Sequence, residues 1–183
     1  FHHGYHSKFL ESAIKNGLDV NLQNNNGDTI FHEGYHPKHL EFAIENDFNV
    51  NLQNDIGNTV FHDSCHSENL ELAIKKGLNI NLQNQKGDTI FHDESTDKDY
   101  FMLAIENGFN FNLQNKYGET IFHDEYYDDE HLLLAIEKGF NVNLQNDEGN
   151  TVFHNRPQCK CLSLAIEYGF DVNLQNKFGE TIY

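Results

Sequence analysis

Residues 21–32 read NLQNNNGDTIFH, and the pattern NLQN, two variable residues, Gly, one residue, Thr, Ile or Val, Phe and His returns at 51–62 and 81–92. It begins again at Asn112 and Asn143, and from Asn173 it runs to the last residue as NLQNKFGETIY. A period of about 30 residues is the signature of a stacked-repeat architecture, in which each copy buries its apolar stripe only against its neighbours. Copies begin at Phe1, Phe31, Phe61, Phe91, Phe122 and Phe153; the fourth and fifth are one residue longer, and the extra residue falls between the His and the next apolar segment. Variable length there marks a surface loop.

Within each copy, an apolar residue precedes an Ala-Ile pair by three and four positions: Leu10 with Ala13 and Ile14, Leu40 with Ala43 and Ile44, Leu70 with Ala73 and Ile74. Phe101, Leu132 and Leu162 repeat the arrangement. That spacing places the three on one face of a short helix. Gly17, Gly77, Gly108, Gly139 and Gly169 stand where the helix should stop, because a left-handed residue after a helix is least strained as glycine; Asp47 replaces it once. Past the glycine, Val20 and Leu22, Val50 and Leu52, and Ile80 and Leu82 alternate with polar residues, which predicts an extended strand. Asn-x-x-Gly, as at Asn24–Gly27, predicts a tight reversal with positive φ at Gly, and Thr after it is suited to cap a helical turn that carries the His.

Stacked at one pitch, equivalent polar side chains lie above one another. The sequence therefore predicts structural ladders of Asn21, Asn51, Asn81, Asn112, Asn143 and Asn173, of Thr29, Thr59, Thr89, Thr120 and Thr151, and of His32, His62, His92, His123 and His154. Buried and neutral histidines would make the fold acid-sensitive.

The residues at this point resemble the ankyrin repeat. N-x-x-G-x-T-[IV]-F-H is similar to that family's hairpin and first-helix opening, with its T-P-L-H signature, and Leu10–Asn21 is similar to its second helix and glycine-led exit. All six copies share the resemblance. Ile or Val (Ile30, Val60, Ile90, Ile121, Val152, Ile182) replaces the family's Pro, and the copies are shorter than the family's about 33 residues. The shortfall lies between the His and the second helix, and in HEGYHPKHL (32–40) Gly34 and Pro37 interrupt any first helix. The resemblance implies a mainly α repeat solenoid over residues 1–183, six stacked hairpin-plus-helix units with a shortened first helix, and a protein as partner.

Twelve basic residues against 29 acidic give a formal charge of −17, which repels a nucleic-acid backbone or an anionic membrane. No run approaches the ~18 apolar residues of a membrane span and no signal-like segment opens the chain, so a soluble protein is expected. The first residue is Phe rather than Met, which reads as a processed product, a fragment, or a segment of a longer protein. Cys159 and Cys161 form a C-x-C with no second Cys or His pair at zinc-finger spacing; free thiols are expected there and at Cys65.

His2/His6, His32/His36 and His62/His66 have i, i+4 spacing that on a helix could chelate a metal, but later copies lose the second His to Thr96, Tyr127 and Gln158. The first His of each pair is also the one the repeat uses, so no metal and no cofactor is expected. Asp63, Asp93 and Asp124 recur as an external acidic row. Catalysis needs an asymmetric constellation, and here nearly every polar residue has near copies, so no enzyme is expected.

Neither end is recast as a polar cap: the first copy keeps Phe1, Leu10 and Ile14, and the last keeps Phe178, Ile182 and Tyr183. These residues predict an end-to-end interface, with further repeats or with further copies of the chain head to tail, in a structural filament or longer array. The rival expectation is a monomeric module that holds one protein partner through residues varying between copies, such as Tyr5, Tyr35, Tyr126, Tyr127 and Arg156.

Overall fold

The computed structural model describes residues 7–32, 34, 36–62, 67–92, 98–124 and 127–183. Among them each copy contributes one helix: α1 (Ser7–Lys15), α2 (Pro37–Glu45), α3 (Ser67–Lys75), α4 (Lys98–Glu106), α5 (Asp129–Glu137) and α6 (Leu162–Glu167). Contacts divide the chain into two compact units, 1–85 and 86–183.

The helices form where the apolar spacing places them. In α2, Leu40, Ala43 and Ile44 are buried, and in α5 so are Leu132, Ala135 and Ile136. Helix starts use local chemistry: Pro37 opens α2 behind His36, whose ring accepts from Lys38 N, and Asp128 caps α5 by accepting from the Glu130 and His131 amides. Each helix is followed by a left-handed residue, and Asp47 (φ 66°) is the one non-glycine among the described residues to adopt it. In the second, fourth and fifth copies the opening Phe packs edge-on against the aromatic just past that residue, as Phe31 does on Phe48 (5.0 Å) and Phe122 on Phe140 (5.0 Å). Phe31, Phe61, Phe91, Phe122 and Phe153 are fully buried, each contributing roughly 1.5–3 kcal/mol of apolar burial.

The extended segments predicted after the helices do not form strands among the described residues. The alternation of apolar residues is there, yet no neighbouring strand pairs with the main chain. Side-chain amides take that place. Asn21 Nδ2 donates to Asp47 O in the next copy (3.0 Å), and Asn21 Oδ1 accepts from Asn49 N (2.7 Å). Asn51 repeats this toward Gly77 O and Asn79 N, Asn112 toward Gly139 O and Asn141 N, and Asn143 toward Gly169 O and Asp171 N. Gln23, Gln53 and Gln145 each donate both to a carbonyl of their own turn and to the matching Gln carbonyl one copy on.

The predicted reversal is a closed turn. Asn24 Oδ1 accepts from Asn26 N and Asp28 N, and Gly27 N donates to Asn24 O (3.0 Å). The turns touch through one backbone bond per step, such as Asp55 N to Asn26 O (2.9 Å) and Asp147 N to Tyr117 O (2.8 Å). The approach is so close that a Cβ on Gly118 would stand 2.9 Å from Asn146 Cα.

The residues before His32, His62, His92, His123 and His154 form a Thr-to-His turn. Thr29 N donates to His32 Nδ1 (3.0 Å), His32 N donates to Thr29 O (3.0 Å), and His32 Nε2 meets Asn58 O of the next copy (3.1 Å). His92, His123 and His154 repeat the contact toward Glu119 O, Asn150 O and Glu180 O. With Nδ1 accepting, the proton belongs on Nε2, and the ring bridges two copies in its neutral form. In the sixth copy, which is fully described, residues 155–161 continue as irregular turns rather than helix. Burial pushes the His123 ring down to about 4, helped by the charges of Arg156 and His92 and opposed by the Asn150 carbonyl, and burial likewise lowers His92.

Two predictions follow from these contacts. Gly139 (φ 96°) has open space around its missing Cβ, whereas Gly118 (φ 71°) abuts the next copy. Gly139→Ala should cost about 1–2 kcal/mol of backbone strain, and Gly118→Ala roughly 1–3 kcal/mol more from the clash; equal losses in urea melts would remove the steric role of Gly118.

The second concerns acid. A His whose folded pKa lies below its unfolded value of about 6.5 contributes stability above that pH and loses it as pH falls toward the folded value. Stability should therefore decline between about pH 6.5 and pH 4, by on the order of 3 kcal/mol from His123 alone. His123→Gln should be less stable at neutral pH and less pH-dependent through that window; identical slopes for the two proteins would refute the neutral-ring assignment.

Candidate interaction surfaces

The repeated polar residues have their hydrogen-bonding groups engaged inside the fold. Thr29, Thr59, Thr89, Thr120 and Thr151 are buried, and each accepts or donates within its own turn. Both ring nitrogens of His32 are taken, Nδ1 by Thr29 and Nε2 by Asn58, so the His32/His36 pair is not arranged to chelate. His2, His6 and His66 lie outside the described residues.

Of the variable residues considered as a binding face, Tyr127 and Arg156 are described, and both bond to main-chain carbonyls of neighbouring segments. Tyr127 is buried at 3% exposure, with its hydroxyl donating to Phe91 O (3.0 Å). The Arg156 guanidinium donates to the carbonyls of Tyr127 and Asp124, pinning two loops together. Their size and polarity serve the copy-to-copy packing, and Tyr5, Tyr35 and Tyr126 lie outside the described residues. Sequence variation between copies cannot separate an inward residue from an outward one.

Exposed apolar side chains concentrate instead on the outer copies. In the first, Ile30 is 53% exposed where Val60 is 3%, and Phe9, Leu18 and Leu22 are also exposed. Leu10 and Ile14 of that copy are half-buried, whereas Leu40 and Ile44 are buried. Phe1 lies outside the described residues. In the last copy Tyr183 is 85% exposed where Phe153 is 0%, Phe178 is exposed, and Ile182 is buried. Phe178 and Tyr183 flank a cleft of about 330 Å³ whose polar wall is His154, Asn176, Glu180 and Thr181.

Two features have no counterpart elsewhere among the described residues. At the start of α5, Asp128 Oδ1 lies 2.7 Å from His131 Nδ1. Partial burial raises the Asp128 carboxyl, but the bonds from His131 and from the Glu130 amide outweigh it and hold the group below the ordinary range. His131 is buried edge-on between Phe101 (4.7 Å) and Tyr127 (5.7 Å), and its Nε2 meets no hydrogen-bond partner among the described residues. Asp128-x-x-His131 at a helix start was a readable signal for this pair. The other feature is at Cys159 and Cys161, which are joined as a disulfide rather than carrying free thiols. The intervening Lys160 N is tied to Asp129 Oδ2 (3.0 Å), which places the two sulfurs side by side on the fifth copy's helix start.

None of the helices among the described residues is long and apolar enough to cross a membrane. No family model matches the sequence, and no curated protein matches it. Solved structures do match in shape. The ankyrin repeat domain of Bcl-3, described as a unique member of the IkappaB protein family, superposes with a TM-score of 0.71 at 20% identity over 96% of this chain and 85% of that one. The ankyrin repeat protein EF0377 does so with a TM-score of 0.66 at 19% identity, over 88% of each chain. A chain from the complex of the predatory endopeptidase Bd0816 of Bdellovibrio bacteriovorus with immunity protein Bd3460 gives 0.61 at 22% identity, over 88% and 97%. The six copies thus have an ankyrin-repeat fold, of the α repeat solenoid class.

Proposed function

We propose that this chain is a non-enzymatic scaffold for protein–protein interaction whose end faces stack on further repeats, as a structural filament or longer array. One observation carries the reading: the last copy presents the groups that, in the copies before it, receive a neighbour. Asn143 donates to Gly169 O one copy on, but Asn173 turns back to Asp171 of its own copy. Gln145 reaches Gln175 O, whereas Gln175 bonds Gly179 O in its own turn. A Cβ on Gly149 would meet Asn176, and one on Gly179 would meet nothing. Together with Tyr183, these are the donors, acceptors and apolar contact that one more copy would fill. Such a contact is heterologous, joining one face to a different one, so it propagates rather than closing.

A second reading, a module that holds one protein partner, is favoured by the turn tips. The residue before the turn glycine is the most changeable of the motif (Asn26, Ile56, Lys86, Tyr117, Glu148, Phe178), and Ile56, Tyr117 and Phe178 are exposed apolar side chains.

Sedimentation velocity of the 183-residue chain over a concentration series, with negative-stain microscopy, separates the two. Stacking predicts species that grow with concentration into rods of regular axial repeat, and Tyr183→Asp or Ile30→Asp should reduce growth at least tenfold in concentration. A concentration-independent monomer would overturn self-stacking and leave the turn tips as the surface to probe with partners.

A further inference from the structure

The Cys159–Cys161 disulfide encloses a single residue, Lys160. So short a loop constrains the unfolded chain least, which makes the bond a poor staple. Its surroundings are those of a ligand set. Both cysteines are buried, and an Asp129 carboxylate oxygen and the two sulfurs all lie within 4.8 Å of one another. Cys161 N donates to the Cys159 sulfur (3.2 Å), a bond that favours a thiolate, and Lys160 N orients the carboxylate through Oδ2 (3.0 Å). Asp129 also lines an adjoining cleft of about 650 Å³ with Asp128, Glu130, Arg156 and Lys160, so the carboxylate side of the group faces solvent.

We infer that Cys159, Cys161 and Asp129 form a redox-gated site for a thiophilic divalent cation, zinc in the first instance, closed as the disulfide and opened as the dithiol. Two thiolates select a soft or borderline ion, and zinc also accepts a carboxylate oxygen. Zinc–sulfur bonds of about 2.3 Å put two tetrahedral ligands ~3.8 Å apart, a separation that side-chain rotation supplies once the sulfur–sulfur bond is gone. A dithiol reductant gives two electrons and two protons to the disulfide, producing two thiols and its own disulfide. The metal then displaces both thiol protons to solvent, binds two thiolates and Asp129, and keeps a position for water. Asp129 belongs to the fifth copy and the cysteines to the sixth, so the bound ion ties the two copies together.

The test is titration of the full chain with Co²⁺ and then Zn²⁺, after reduction with dithiothreitol and its removal under anaerobic conditions. Cobalt should produce thiolate-to-metal charge-transfer absorption in the near ultraviolet at one equivalent, zinc should bleach it, and zinc should raise the melting midpoint of the reduced protein. The oxidised protein should show neither effect. Cys65→Ser should retain the band, Cys161→Ser should lose it, and Asp129→Ala should weaken cobalt binding about tenfold or more. Circular dichroism verifies that each variant is folded, and Asp129→Asn supplies a second carboxylate variant should the alanine fail. Absence of the band in the reduced protein, its loss with Cys65→Ser, or undiminished binding by both folded Asp129 variants would overturn the inference, as would cobalt bound without the band through surface histidines.

Discussion

The exchange of hydrogen bonds between an Asn side chain and the main chain of the next copy is the contact on which the fold rests. The Asn51 amide donates to Gly77 O and accepts from Asn79 N, the same two bonds that a facing strand residue would provide. One side chain thereby meets the main-chain requirement of the neighbouring copy, and the segment after each helix needs no sheet. The carboxamide is the one side-chain group of this length with a donor and an acceptor in fixed geometry. Asp has no donor and Ser has a shorter reach, which is why the position is Asn in all six copies.

Other features are set by the spacing this contact imposes. Copies sit close enough that the turn at Asn54–Gly57 lies against the backbone of Asn84 and Gln85, leaving no room for a Cβ at Gly57. The same closeness brings a neighbouring carbonyl within reach of the histidine Nε2, as for His123 and Asn150. Amide, turn and imidazole are three readings of one repeat distance, and the buried Phe row fills the space between them. Polar groups so arranged contribute less through net hydrogen-bond energy than through the cost of leaving any of them unmatched.

Much of this architecture is legible in the sequence because it is local and periodic. The Leu-x-x-Ala-Ile spacing marks the helices and the glycines mark their exits, since both depend on a few consecutive residues. The strand expectation failed for a physical reason: alternation at Val50 and Leu52 reports which side chains face inward, not what the main chain bonds to. Tyr127 and Arg156 vary as surface residues do, yet Tyr127 is buried with its hydroxyl on Phe91 O, and the half-buried Arg156 donates to the carbonyls of Tyr127 and Asp124. The pairing of Cys159 with Cys161 beside Asp129 needed the stacking of one copy on another, 30 residues away in sequence, before it could be seen.

The amide bonds between copies among the described residues join residues about one period apart, as from Gln53 to Gln83 O or Gln145 to Gln175 O, each a separation of 30. Removing or duplicating a whole copy leaves each remaining amide facing a partner of the same type. Unequal recombination within the coding DNA therefore changes array length without requiring a compensating mutation. The odd residue in the fourth and fifth copies falls in sequence between the His and the helix, away from the Asn and Gln of the amide contacts, so the register of those contacts tolerates it.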